Sequence, residues 1–430
     1  MTGLEAAAER LAGRSVLIVG MNYAPEHTGI ARYATATAEI LAEYAAHVEV
    51  VAGVPHYPAW RVEPEYRWTL RSRDQRNGVH VRRFRHYVPG RQSAARRAAW
   101  EGTFLANGLL AAPSRRPDIV LATTPCLAAG VLGARFAARA RAPYGVVVQD
   151  LVGQAARQSG ISGGGAAARV ASRVERWILQ RAHEVAIVSD GFRAQLRDYA
   201  VDETRIRRLP NWTHIGTPQG STDSAREKLG WPREAFVVLH TGNMGLKQDL
   251  GNVIEAARLL AERRDVLFVL LGDGNQRRAL EELAIGVANL RIADPVDDTM
   301  YPAVLRAADL LLVNELPTVG EMSLPSKLTS YFMAGRPVLA AVDAAGACAR
   351  EINKTRGAGI VVPPGDPATL ADAVLRAAST SSEIRDAMGA AGLEYARAEL
   401  GLGAARRRIV TLAADLLATA PGPRATERVR

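Results

Sequence analysis

Short apolar runs of strand length recur along the chain, each followed by a longer amphipathic or Ala/Arg-rich stretch, and the whole alternation is played out twice. No other feature constrains the fold as strongly, because strands alternating with helix-length segments build strand–helix units around a parallel sheet. In the first half the runs are Ser15–Val19, Val48–Ala52, Val79–Arg83, Asp118–Ala122, Tyr144–Gln149 and Val185–Ser189. In the second they are Phe236–His240, Val266–Leu271, Leu290–Ala293, Leu310–Asn314, Pro337–Val342 and Gly359–Val362, interleaved with helical patterns such as Asn252–Arg263. Each half therefore reads as a doubly wound α/β unit. Between them, Leu209-Pro210-Asn211-Trp212 opens an aperiodic stretch through Thr222, the expected hinge. A length of 430 residues also exceeds what one hydrophobic core organises. The expected division is 1–208, 209–400 and a C-terminal segment 401–430, the last ending in a loose charged tail after Pro421-Gly422-Pro423.

The two cysteines, Cys126 and Cys348, fit no C-x-x-C or Cys/His pattern, and the histidines and aspartates show no H-x-x-x-H or D-x-D spacing, so no metal is expected. No apolar run approaches the roughly 18 residues of a membrane span. Met1–Arg14 carries acids and no continuous apolar segment, so a cytoplasmic protein is expected. The formal charge of +10 biases the surface toward anions: nucleotide phosphates, acidic lipid headgroups or nucleic acid. Nucleic-acid modules carry recognisable motifs, and none is present. Two basic stretches stand out. Arg82-Arg83-Phe84-Arg85 runs on to Arg91, Arg96, Arg97 and Trp100; Arg169, Arg173 and Arg176 share a helix face beside Trp177 and Arg181. Each reads either as a solvated face or as a peripheral contact with acidic membrane lipid at the inner face of the cell membrane. Gly163-Gly164-Gly165 with Ala166–Ala168 reads as a mobile loop.

In open parallel sheets ligands bind beyond the carboxyl ends of the strands, which directs attention to the residues after each apolar run. After the first strand, Thr28 and Gly29 open a helix whose free amides suit an anion. After the first strand of the second half comes Thr241-Gly242-Asn243-Met244-Gly245-Leu246-Lys247, a polar turn ending in one of only four lysines. A lysine is a compact point charge suited to a diphosphate. Gly272-Asp273-Gly274 follows the next strand, but Arg277 stands where a third glycine of G-x-G-x-x-G would be, so a plain strand-to-helix turn remains an equal reading. In Leu324-Pro325-Ser326-Lys327, proline starts a helix and Lys327 lies in its first turn, where a cation is unfavourable unless an anion is near. Asp150, at the end of Val146-Val147-Val148-Gln149, is a candidate carboxylate whose alternative role is capping.

Taken together, Asn22-Tyr23-Ala24-Pro25-Glu26 with Thr28-Gly29-Ile30, Tyr57-Pro58-Ala59-Trp60, Gln149-Asp150, Pro210-Asn211-Trp212, Gly242-Asn243 with Gly245 and Lys247, Leu324–Thr329, and Gly335 with Pro337-Val338 resemble the retaining glycosyltransferases of family 4, in particular the colanic-acid fucosyltransferase-like branch. The resemblance spans nearly the whole chain. It implies the GT-B fold, two doubly wound Rossmann-like parallel-sheet domains facing a cleft, with an N-terminal acceptor-binding half, a C-terminal half binding a nucleotide-diphosphate-sugar, and a final helix crossing back onto the first domain. It implies no cofactor and no metal. It further implies that Lys247 grips the leaving diphosphate, that the Gly29 loop approaches it, and that Ser326 and Lys327 flank it.

The resulting candidates are Lys247, Glu321 and Asp150 for catalysis; Thr28, Gly29, Gly242, Asn243, Gly272, Asp273, Gly274, Pro325, Ser326, Lys327 and Ser330 for the donor; and His56, Tyr57 and Trp60 for a glycan, lipid-linked or secondary-metabolite acceptor. The chain departs from the wider family's pair of glutamates, with Ser330 at the second position, Met322 at the first and Glu321 one residue away; Asn243 replaces the usual arginine. Two other classes stay open on these residues: an NAD(P)-dependent oxidoreductase, and a catalytically degenerate membrane-associated binding subunit.

Overall fold

A computed structural model describes residues 3–91, 93–152, 165–213, 215, 222–319 and 326–419. Gly163, Gly164, most of the expected hinge and the charged tail lie outside the described residues. The chain forms two compact units, one of residues 1–210 with 405–430 and the other of residues 211–404.

The first unit is built on an eight-stranded sheet in the order β3-β4-β2-β1-β5-β6-β7-β8. Its strands are β1 (Ser15–Val19), β2 (His47–Gly53), β3 (Arg71–Arg76), β4 (Val79–Phe84), β5 (Ile119–Thr124), β6 (Tyr144–Val148), β7 (Glu184–Ile187) and β8 (Ile206–Arg208). All pairs are parallel except β3 with β4. Strands such as Ile119–Thr124 and Tyr144–Val148 are buried throughout, as apolar runs covered by helices on both faces must be. β3 and β8 were not read from the sequence. β3 is Arg-Ser-Arg-Asp-Gln-Arg and mostly exposed, so it has no hydrophobic alternation; Asn77-Gly78, both at positive φ, makes the tight turn that folds it back on β4.

That hairpin also revises the first basic stretch. Arg83 is 2% exposed and donates to the Ala24 carbonyl oxygen and to Asp74, while Arg82 pairs with Glu49. These two arginines hold the sheet edge together and are not a solvated face. From Ala405 onward the C-terminal helix Leu402–Ala418 belongs to this unit: Arg406 pairs with Glu43, and Leu416 lies so close to Gly145 that a Cβ there would meet it at 2.7 Å.

The second unit carries six parallel strands ordered β11-β10-β9-β12-β13-β14. They are β9 (Phe236–Thr241), β10 (Val266–Leu271), β11 (Leu290–Ala293), β12 (Leu310–Asn314), β13 (Val338–Ala341) and β14 (Gly359–Val362). In this order the chain reverses its direction of winding between β9 and β12. The helices on either side of that point must diverge, which leaves a crevice at the carboxyl ends of the two strands. The amino ends are closed by Arg226, which bonds to Asp309 at 2.5 Å and to the carbonyl oxygens of Ala307, Arg233 and Ala235.

Candidate active site

In the second unit the segments after β9, β10 and β12 and the Ser326–Met333 helix come together at the switch point. The loop after β9 lies directly on the loop after β10: the Gly242 amide donates to the Leu271 carbonyl at 2.9 Å, the Met244 amide to Asp273 at 2.8 Å, and the Gln276 amide to Met244 at 2.9 Å. This contact explains the glycines. A Cβ on Gly272, whose φ is 155°, would stand 1.9 Å from the Gly242 carbonyl oxygen, and one on Gly274 would stand 2.4 Å from that of Met244. Gly272 and Gly274 are therefore required by backbone packing, whatever else they touch. Asp273 is turned onto its own loop, accepting from the Gly274 amide at 2.7 Å.

Lys247 sits exposed in the single 3₁₀ turn Leu246–Gln248. That turn is held from behind by the end of β12. Buried Asn314 donates to the carbonyl oxygens of Gln248 and Asp249, each at 2.9 Å, and accepts from Asn252; the Leu316 amide donates to the Lys247 carbonyl at 2.9 Å. Two strands thus fix where this cation stands. Asn243 is exposed beside it.

Lys327 takes a different position from an ordinary first-turn lysine. Its Nζ lies 3.0 Å from Nε2 of His240, a histidine of β9 with no exposure, and its Cε lies 3.9 Å from where a Cβ on Gly242 would be. Nδ1 of His240 faces the Leu312 carbonyl at 3.2 Å, so the ring donates there and accepts from Lys327. Burial, followed by the Lys327 charge, holds the imidazole well below its usual range, which keeps it neutral. Burial lowers Lys327 itself from 10.5 to about 8, against the pull of Glu315.

Glu315, the residue immediately after β12, completes the group. Its carboxyl is raised by burial from 4.5 to about 7, although Lys327 and Lys247 both act to lower it. The site therefore holds two lysines, a carboxyl that burial shifts toward its neutral form and a neutral histidine. An entering anion would restore the full charge of Lys327 and receive the amino end of the Ser326–Met333 helix. His240 and Glu315 were not among the residues named from the sequence. The signal was available: each sits at the carboxyl end of an apolar run, where the strand-end rule points. Ser330 is engaged with Tyr301, whose hydroxyl also meets Thr241 Oγ1 at 2.9 Å, so it braces the wall of the site. Glu321 and Pro325 lie outside the described residues, as does the side chain of Ser326.

In the first unit Gly29, at φ 57°, precedes the helix Ile30–Ala42 with no side-chain cap, and Tyr57 lies 3.4 Å from where its Cβ would be. Thr28 Oγ1 is buried without a hydrogen-bond partner. The segment after β2 is anchored by Glu26, which accepts from the amides of His56 and Tyr57 at 2.8 and 2.9 Å and from Asn22 at 2.9 Å. His56 is 1% exposed; its Nδ1 faces Val54 O at 3.0 Å and its Nε2 accepts from Trp100 Nε1 at 3.3 Å. Both ring nitrogens being engaged inside the protein, His56 shapes the loop, and the outward surface belongs to its neighbours. Tyr57 and Trp60, 6.1 Å apart and edge to face, form an aromatic shelf over His56 and Trp100. Asp150 is exposed just past β6 and accepts from the Leu151 amide at 2.8 Å. Thr28, Gly29, Tyr57, Trp60 and Asp150 all belong to the carboxyl edge of this sheet. Among the described residues, no three of His, Cys, Asp or Glu are grouped so as to hold a metal ion.

Comparison with known proteins agrees with this layout. Residues 28–212 match the Glycosyl transferase 4-like domain, and residues 235–380 match Glycosyl transferases group 1. WcaI of Escherichia coli (strain K12), a glycosyl transferase assigned to colanic acid biosynthesis, is 30% identical over 333 residues, covering 74% of this chain and 81% of that protein. Among solved structures, sucrose-phosphate synthase from Thermosynechococcus elongatus superposes with a TM-score of 0.69 at 18% identity, covering 94% of this chain and 99% of that one. HepE of Anabaena, solved in complex with UDP, gives 0.67 at 16% identity, covering 93% and 100%. These matches set aside the oxidoreductase reading and that of a non-catalytic subunit. The chain belongs to the family 4-type glycosyltransferases of the GT-B fold.

Proposed function

We propose that this enzyme moves a sugar from a nucleoside-diphosphate-sugar to a hydroxyl of a glycan or glycan-like acceptor with retention of anomeric configuration and without a metal ion. The observation that carries the reading is the switch point of the second unit, where Lys247 and Lys327 both act on Glu315 and Lys327 stands in the first turn of the Ser326–Met333 helix, so that two cations and a helix amino end meet in one place. A diphosphate is the ligand that such a site stabilises. HepE, of the same fold, is solved in complex with UDP; WcaI is assigned to colanic acid biosynthesis. Both lend support to a nucleotide-sugar donor and a glycan acceptor here.

In the proposed step the bond from the anomeric carbon to the diphosphate oxygen breaks and a bond to the acceptor oxygen forms on the same face. The departing phosphate oxygen takes the acceptor's proton. Lys247 and Lys327 stabilise the growing negative charge of the leaving group, and no protein nucleophile is needed. The aromatic shelf of Tyr57 and Trp60 offers an apolar face for a sugar ring of the acceptor, with Asp150 as a hydrogen-bond acceptor on the same edge. A thermal-shift screen with UDP, GDP, dTDP and their sugars tests the donor class, since a ligand of the folded state raises its melting temperature by mass action. Proton NMR of the product's anomeric centre tests retention. Absence of any stabilising nucleotide, or an inverted product, would overturn the reading.

A further inference from the structure

The first unit carries a second concavity, at the end of its sheet opposite the Gly29 and Tyr57 loops. It opens where β6 and β7 begin, at Tyr144 and His183, among the carboxyl ends of the helices Ala94–Leu109, Leu127–Ala140 and Gly165–Arg181, and its volume is about 790 Å³. Leu105, Leu109, Val131 and Trp177 make its walls apolar. Arg135, Arg139 and Arg181 stand around it, and no aspartate or glutamate lines it. Among the described residues none of these three arginines pairs with a carboxylate.

The sequence places these groups deliberately. Arg135 and Arg139 are four residues apart on one helix and so share a face; Trp177 and Arg181 do the same on another, with the guanidinium 4.2 Å from the indole ring. The apolar surface continues outward: Leu109 is 41% exposed, Leu110 67%, Val170 56% and Trp177 38%. Helix carboxyl ends welcome a cation, which accounts for Arg139 and Arg181 in the last turns of two of these helices. It does not account for an open aliphatic groove beneath them, nor for leucines left in water beside it. A polyanion such as nucleic acid would complement the charges and leave the groove unused. An amphiphile complements both.

We propose that the groove receives an acyl chain of an acidic phospholipid while Arg135, Arg139 and Arg181 hold its phosphate, seating this face of the first unit on an anionic bilayer. Leu109, Leu110 and Trp177 then enter the interfacial layer, where an indole with an apolar body and a polar tip is at home. The proposal is independent of the donor and acceptor assignments above.

The test is sedimentation of the full chain with vesicles of phosphatidylcholine alone and with phosphatidylglycerol admixed. Binding is expected only with the acidic lipid. Each basic residue at a membrane surface contributes several-fold, so R135A/R139A/R181A is expected to bind roughly 100-fold more weakly. Removing apolar contact in L109S/W177A should weaken binding about tenfold or more. Both variants should keep the wild-type melting temperature and donor hydrolysis, which separates loss of docking from loss of fold. No binding to acidic vesicles, or wild-type binding by either variant, overturns the proposal. Wild-type vesicle binding by L109S/W177A together with full displacement by polyphosphate would mark a general polyanion surface instead.

Discussion

Replacing Lys327 by methionine separates what the lysine does for chemistry from what it costs the fold. The two side chains have similar length, and methionine removes the charge without leaving a void. Held at about 8 against an ordinary 10.5, the ammonium costs the unliganded protein at most about 3 kcal/mol at neutral pH, less where solvent reaches it. Against this, the substitution orphans Nε2 of His240, a buried acceptor whose loss of a partner costs about 1–3 kcal/mol. Glu315, relieved of one neighbouring cation, becomes protonated more readily and leaves no stranded charge. The balance lies between roughly 0 and 2 kcal/mol in favour of Lys327→Met at pH 7.

The pH dependence carries the sign. The folded value of Lys327 is depressed, so its destabilising effect is complete below about 8 and fades as pH rises toward 10.5, where the unfolded chain also loses the proton. Wild-type protein should gain stability relative to Lys327→Met across that interval. Urea unfolding followed by tryptophan fluorescence at pH 7 and pH 9.5 measures this, alongside donor turnover, which should fall about 10²- to 10³-fold on loss of a preorganised charge. A variant destabilised by more than about 2 kcal/mol would show that Lys327 is a structural tie to His240. Near-normal turnover in a folded variant would refute the phosphate role.

The exposed Lys247 should behave more simply: Lys247→Ala is expected to lose about 10²- to 10³-fold in kcat with an unchanged melting temperature, read from steady-state transfer and a thermal scan. Glu315 has a raised folded value, so its contribution to stability is full below about 4.5 and is lost as pH climbs through 7. Glu315→Gln should flatten the stability profile between those limits, and an unaltered profile would show that the carboxyl is not buried beside the lysines. Gly272→Ala adds both a forbidden backbone region and a clash with the Gly242 carbonyl, and should cost roughly 2–6 kcal/mol in chemical unfolding. Gly286→Ala, at φ 82° but with open space around it, should lose only about 1–2 kcal/mol.

The sequence by itself determined the class of fold and the places where loops meet ligands, because parallel strands covered on both faces must be continuous apolar runs. Phe236–His240 and Leu310–Asn314 announce themselves in that way, and the strand-end rule then leads to Lys247. It could not announce β3, an exposed strand with no hydrophobic signal whose existence depends on the Asn77-Gly78 turn and the edge of β4. Nor could it separate a glycine that cradles a ligand from one that makes room for a neighbouring loop. For Gly272 and Gly274 only the packing of the Gly242–Met244 backbone decides.

The partners of the charged residues were decided by tertiary structure for a related reason. His240 and Lys327 are far apart in sequence, as are Glu315 and Lys247, and their protonation depends on desolvation and on one another, quantities that arise only when β9, β12 and the Ser326–Met333 helix close around them. Local pattern shows where a strand ends. What stands across from that end, and whether it is charged there, is a property of the packed unit.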